Sequence, residues 1–120
     1  MQKRILVIDD DEDILEVLSL ILQNEGYQVI LANDETAAEN LTAINPDLVL
    51  LDLRLAGSQR GGAEICADIK SDGHLRHLPV MLISAEANVH HIAQECGANG
   101  YMRKPFDLNE LLMQVSRLVA

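Results

Sequence analysis

The stretch Asp47–Leu55, DLVLLDLRL, leaves few folds open to this chain. An apolar run without polar alternation reads as a strand covered on both faces, the situation inside a parallel sheet with helices above and below it. Asp52 then stands at the carboxyl edge of that strand. Ligands of open α/β sheets bind in the crevice outside those strand ends. A carboxylate in that position either caps the loop that follows or has chemistry to perform. The rest of the chain has to discriminate between the two.

Four more short apolar runs recur, each followed by a stretch of helical periodicity. Arg4–Ile8 (RILVI) leads into Asp9, Asp10, Asp11, Glu12 and Asp13, and then into a helix with Ile14, Leu15, Leu18, Ile21 and Leu22 on one face. The acids fall in its first turn, where the helix dipole favours negative charge, and one of them is the expected N-cap. Gly26 is the stop signal, and Tyr27–Ala32 (YQVILA) reads as the second strand. Asn33 or Asp34 caps a second expected helix, with Ala37, Ala38, Leu41 and Ile44 inward and Asn45-Pro46 ending it. Beyond the central strand, Ala56–Gly62 (AGSQRGG) is a Gly-rich loop without the GxxxxGK[ST] pattern of a P-loop. A third helix carries Ile65, Cys66 and Ile69 and ends near Asp72-Gly73. Val80–Ser84 (VMLIS) is the fourth strand, and a helix with Val89, Ile92, Ala93 and Cys96 follows it, closed by Gly97. Gly100–Met102 is the fifth strand, Arg103-Lys104-Pro105 leaves its end, and Asp107 caps a last helix with Leu108, Leu111, Leu112, Val115, Leu118 and Val119 on one face. Strict alternation of strand and helix specifies a parallel sheet with right-handed crossovers and helices on both faces.

Length and charge narrow the function. The 120 residues suffice for one domain with a real core. With 19 acidic against 9 basic residues and a formal net charge of −10, the domain lacks the clustered Lys and Arg that phosphate backbones require, so no nucleic acid contact is expected. No run approaches the 18 or so apolar residues of a membrane span, and no signal-peptide pattern is present, so a chain away from the membrane and in the cytoplasm is expected. Cys66 and Cys96 lie among apolar neighbours in helical stretches and read as buried free thiols of a reducing compartment. His74 and His77 lack a third ligand at useful spacing and read as surface residues, while the adjacent His90 and His91 diverge on a helix.

What the strands present where they stop is more specific. Asp9 and Asp10 follow the first, Asp52 ends the third, Ser84 the fourth, and Lys104 follows the fifth. The second strand ends in Ala32 and Asn33, as an outer strand away from the site should. Carboxylates converging on one crevice repel each other, and a hard divalent cation with oxygen ligands relieves that repulsion; Mg²⁺ suits one or two direct carboxylates plus waters and commonly partners a phosphoryl group. A phosphoryl group on Asp52 would give the metal, the ammonium and the hydroxyl a shared purpose, with Asp52 as a carboxylate nucleophile. Capping explains each acid singly, but not a polar residue at every one of these ends.

The segments ILVIDD (Ile5–Asp10), DLVLLDLRL (Asp47–Leu55), LPVMLISA (Leu78–Ala85) and GYMRKPF (Gly100–Phe106) together resemble the receiver domain of bacterial two-component response regulators, across essentially the whole chain. The resemblance implies a flavodoxin-like (βα)5 doubly wound parallel sheet of strand order 2-1-3-4-5, occupying residues 1–120 as a single receiver domain. It implies phosphotransfer to Asp52 from a histidine kinase or phosphotransfer protein, Mg²⁺ (with Mn²⁺ able to substitute) held by Asp10, Asp52 and the backbone carbonyl of Arg54, and Asp9 contributing through water. Ser84 and Lys104 are implied to contact the phosphoryl group, Tyr101 to be the switch aromatic, and the Lys104-Pro105 bond to be cis. An output domain or protein is expected on the face made by the fourth helix, fifth strand and fifth helix. In the same family Arg54 and Glu86 flank the path of the hydrolytic water, and their opposite charges are expected to pair across the mouth of the site and prolong the phosphorylated form.

The loop after Asp52 departs from the family pattern. Ala56 stands where a proline is usual, and Gly61-Gly62 arrive one or two residues late. Two other functions on similar sheets are also considered. A phosphatase that forms an aspartyl-phosphate needs a second acid two residues after the nucleophile, where this chain has Arg54; a flavin-binding electron carrier needs a hydroxyl- and Gly-rich loop after the first strand, where this chain has acids. Met1 lies so close to the first strand that the receiver is expected to begin its protein. The end at Ala120 gives no indication of whether an effector follows.

Overall fold

The computed structural model of the chain describes residues 2–55 and 60–120. Its five strands are β1 (Arg4–Ile8), β2 (Gln28–Ala32), β3 (Leu48–Asp52), β4 (Val80–Ser84) and β5 (Gly100–Arg103), all parallel in the order β2-β1-β3-β4-β5. The helices are α1 (Glu12–Asn24), α2 (Leu41–Ile44), α3 (Gly62–Ser71), α4 (Val89–Cys96) and α5 (Leu108–Val119). Every residue of β3 and β4 is buried, which is why those strands carry unbroken apolar runs.

Alternation along each strand builds two cores. Ile5, Val7, Leu48, Leu50, Met81 and Ile83 face Leu15, Leu18 and Leu22 of α1 and Leu111, Val115 and Val119 of α5. Leu6, Ile8, Val49, Leu51, Val80 and Leu82 face the opposite way, toward Leu41, the α3 residues Ile65, Cys66 and Ile69, and the α4 residues Val89, Ala93 and Cys96. Each such side chain removed from water contributes roughly 1.5–3 kcal/mol before entropy is counted. The sheet is thus clamped between two helical layers, and the carboxyl ends of β1, β3 and β4 are held in register beside each other.

The helix ends follow the sequence signals closely. Asp11 caps α1, its Oδ1 accepting the N–H groups of Asp13 and Ile14, and Asp107 caps α5 by accepting from Glu110. Gly26 and Gly97 take the left-handed conformation that ends α1 and α4. The second helix differs from expectation. Residues Glu35–Asn40 form a 3₁₀ helix and only Leu41–Ile44 is α-helical, although Leu41 is buried and Ala37, Ala38 and Ile44 pack on the core as expected. The side-chain amide of Asn40 donates to the Thr36 carbonyl, four residues back, which an α-helix would offer to a backbone N–H. Asp34 caps the segment through the Thr36 N–H, and Asn45, at φ 51°, turns the chain into Pro46.

Cys66 and Cys96 are free and buried. His74 and His77 are exposed between α3 and β4. Among the described residues, no helix is long and apolar enough to cross a membrane. The expectation for the loop after Asp52 rests partly on Ala56, which lies outside the described residues.

Candidate phosphoacceptor and metal site

The register decides which polar groups meet. β3 lies between β1 and β4, with Leu51 beside Ile8 and Asp52 beside Ile83, so Asp52 projects at the edge between the acids that follow β1 and Ser84 at the end of β4. Asp9, Asp52 and Ser84 are the buried polar side chains among the described residues. Asp10, Asp11, Asp52, Arg54, Ser84, Ala85, Glu86 and Lys104 line one cleft of about 490 Å³. The residues singled out from strand ends in the sequence therefore occupy one place.

Three carboxylates converge there. Asp9, Asp10 and Asp52 can each offer an oxygen such that all three lie within 4.8 Å of one another. Burial above all, and next the charge of Asp9, push the Asp52 carboxyl up to about 6, against Lys104 and a hydrogen bond from the Arg54 backbone, which pull it down. An all-oxygen donor set with surplus negative charge fits a hard divalent cation.

Lys104 supplies the protein's own counter-charge. Its Nζ donates to Asp9 Oδ2 at 3.0 Å and stands 3.7 Å from Asp52 Oδ2. It reaches in from the turn after β5, where its backbone N–H donates to the Ser84 carbonyl and the Lys104-Pro105 bond is cis. Asp9 has a second commitment, because its Oδ1 accepts the N–H of Asp11 and shapes the entry to α1. The Ser84 hydroxyl accepts the N–H of Glu86 at 3.1 Å, so it is oriented by the loop that leads to α4.

Two sequence-selected residues sit at the margins. Arg54 is exposed beside the mouth, and its Nε donates to Glu86 Oε1 at 2.6 Å, an ion pair linking the residues that follow β3 and β4. Tyr101 lies outside the cleft on the edge strand β5, 38 % exposed, with its ring against His90 of α4.

Sequence reasoning missed Gly62. A Cβ on that residue would lie 2.1 Å from the carbonyl oxygen of Asp52, while its N–H donates to the Leu53 carbonyl at 3.0 Å. Only a residue without a side chain lets α3 start against the backbone of the site. The Gly61-Gly62 pair was a visible signal, but which glycine makes the contact depends on how α3 docks.

These features agree with known proteins. The chain matches the family model for the response regulator receiver domain over residues 5–116. It is 37% identical over 120 residues to the DNA-binding response regulator MtrA of Mycobacterium tuberculosis, covering 96% of this chain and 50% of that protein. It is 38% identical over 122 residues to the response regulator MprA of a Mycobacterium species, covering 99% of this chain and 51% of that protein. The crystal structure of the receiver domain of NtrX from Brucella abortus superimposes with a TM-score of 0.86 at 33% identity, covering 96% of this chain and 97% of that one. The chain spans about half the length of the curated relatives it matches.

Proposed function

Because the chain belongs to the response regulator receiver family of two-component systems, we propose that Asp52 accepts a phosphoryl group from a histidine kinase or phosphotransfer protein and that residues 1–120 act as one phosphorylation-dependent switch. The observation that carries this reading is the convergence of Asp9, Asp10 and Asp52 beside Lys104 at the carboxyl edge of the sheet. A carboxylate oxygen of Asp52 attacks phosphorus in line, and the bond from phosphorus to the donor's leaving atom breaks, with the electron pair departing on that atom. Hydrolysis by water returns the carboxylate and inorganic phosphate.

Asp10, Asp52 and the backbone carbonyl of Arg54 would hold Mg²⁺, with Mn²⁺ able to replace it and Asp9 contributing through water. Such an ion supplies positive charge to carboxylates that otherwise repel and to the oxygens of the incoming phosphoryl group. Lys104 is near enough to both Asp9 and Asp52 to exchange one oxygen partner for another as charge builds on the phosphoryl group. The Ser84 hydroxyl leaves the Glu86 N–H and bonds the phosphoryl group, and Tyr101 moves into the space that opens. A local hydrogen bond thereby biases a two-state element, and the surface of α4, β5 and α5 changes for an output domain or protein. The Arg54–Glu86 pair stands beside the approach of water and slows loss of the phosphoryl group. The setting is cytoplasmic, and DNA binding, named for MtrA, would belong to a part of the protein beyond this acidic domain.

Incubation with acetyl phosphate and Mg²⁺ tests the assignment. Intact mass should rise by one phosphoryl group in the parent, and the increase should vanish with a chelator or in Asp52→Asn. Equal labelling of that variant would refute it.

A further inference from the structure

The switch aromatic has an unassigned neighbour. Tyr101 alternates with Met102, which turns into the core, so the tyrosine lies on the opposite face of β5, toward α4 and at the open edge of the sheet. Its ring stands 5.0 Å, centroid to centroid, from the imidazole of His90, with the two planes tilted by 34°. That is a tilted ring pair at a centroid distance within the attractive range. The chain has no Trp, one Phe and two Tyr, and the ring beside Tyr101 is a histidine. His90 follows Val89, which is buried in the core and anchors the first turn of α4.

The pair also lies at the end of a short hydrogen-bonded path from the phosphoacceptor cleft. The Ser84 hydroxyl accepts the Glu86 N–H at 3.1 Å, and the Glu86 carbonyl accepts the Val89 N–H at 3.3 Å, one residue before His90. These two bonds connect the Ser84 side chain to the first turn of α4, which carries the imidazole. On the other side, His90 and Tyr101 form part of the wall of a depression of about 660 Å³ between α4 and α5, together with Phe106 and Gln114. Gln114 holds only the backbone of Tyr101, donating to its carbonyl at 3.3 Å. The ring itself packs against His90.

We infer that His90 is a positioning residue for Tyr101: its imidazole, packed against the ring, holds that ring outward in the unphosphorylated domain and thereby sets how readily the domain enters its phosphorylated conformation. This rests on Tyr101 being the aromatic that moves. An aromatic pair of this kind shifts a two-state population by roughly two- to tenfold. Removing it raises the inward population and, with it, the rate at which Asp52 is phosphorylated. His90 is exposed, so its replacement leaves the core untouched.

Proton NMR of the Tyr101 ring in the whole chain, before and after acetyl phosphate with Mg²⁺, tests this together with the phosphorylation rate. In the parent, the ring signals should carry the ring-current shift of the imidazole and lose it on phosphorylation. His90→Ala should lose that shift without phosphorylation and be phosphorylated roughly two- to tenfold faster. His90→Phe should restore both stacking and rate. Parent ring signals indifferent to phosphorylation overturn the switch role of Tyr101 and this inference with it. A parent that responds while His90→Ala leaves ring signals and rate unchanged overturns this inference alone, and leaves Asp52 as phosphoacceptor intact.

Discussion

Lys104 and Arg54 each meet a carboxylate at the same crevice, one in its depth and one at its mouth. The Lys104 side chain is 19% exposed and its partner Asp9 3%, at 3.0 Å; Arg54 is 81% exposed and Glu86 31%, at 2.6 Å. The shorter contact is the weaker one, because solvent screens the outer pair and long exposed side chains lose rotamer freedom on pairing. The inner pair sits where the field is poorly screened and where loss of one member leaves buried charge behind. Distance ranks these two contacts in one order and burial in the other. Burial decides the consequences.

The largest effect should come from the inner cation. Lys104→Met leaves Asp9 and Asp52 without their counter-charge and removes the cation that we propose meets the phosphoryl oxygens. Phosphorylation by acetyl phosphate should slow on the order of a hundredfold, and the metal-free domain should lose about 2–3 kcal/mol, less than in a sealed core because the cleft is open. Stopped labelling at timed intervals and chemical denaturation would measure both. A loss no greater than that of Arg54→Ala would break the contrast between depth and mouth.

An intermediate effect follows from Asp52. Its carboxyl is raised to about 6 in the folded chain from an ordinary 3.8, so the folded state binds the extra proton between those values. The stability tied to this group is therefore full below about pH 4 and is lost as pH rises through about 6. Asp52→Asn lacks that loss. In chelator at pH 7.5 it should exceed the parent by roughly 1–2 kcal/mol, a few degrees in melting temperature, and the gap should close toward pH 4. Mg²⁺ should stabilise the parent and leave the variant little changed. A gap independent of pH would mean that the Asp52 charge is already neutralised by Lys104.

The smallest effect belongs to the outer pair. Arg54→Ala and Glu86→Ala should each shorten the lifetime of the phosphorylated form several-fold, and the double variant should do little more than either alone. Additive effects, or slower loss in both single variants, would remove the pair as a barrier to water while leaving the inner site unaffected.

Much of this is legible in the residues themselves. Apolar runs marked β3 and β4 because a strand covered on both faces is apolar along its middle, and Asp11, Gly26, Gly97 and Asp107 marked helix ends because their side chains, or lack of them, satisfy local backbone needs. Local chemistry also misled. The segment after Asp34 has helical apolar spacing, yet Asn40 draws on the Thr36 carbonyl and most of it winds as 3₁₀. Competition between a side chain and the backbone for one carbonyl turns on local geometry that periodicity does not record.

The sequence alone determined the alternation of elements, the sign of the charge, and the polar residue at the end of each inner strand, since all of these depend on residue type and spacing. Tertiary structure alone decided what those residues do to each other. That Lys104 pairs more closely with Asp9 than with Asp52, that Gly62 rather than Gly61 passes against the Asp52 carbonyl, and that His90 lies against the Tyr101 ring all follow from strand register and helix docking. The Lys104 contacts join residues far apart in the chain, and the other two cross from a strand to a helix. Their energies depend on burial and on distances of a few ångströms, which are properties of the packed molecule and of no segment within it.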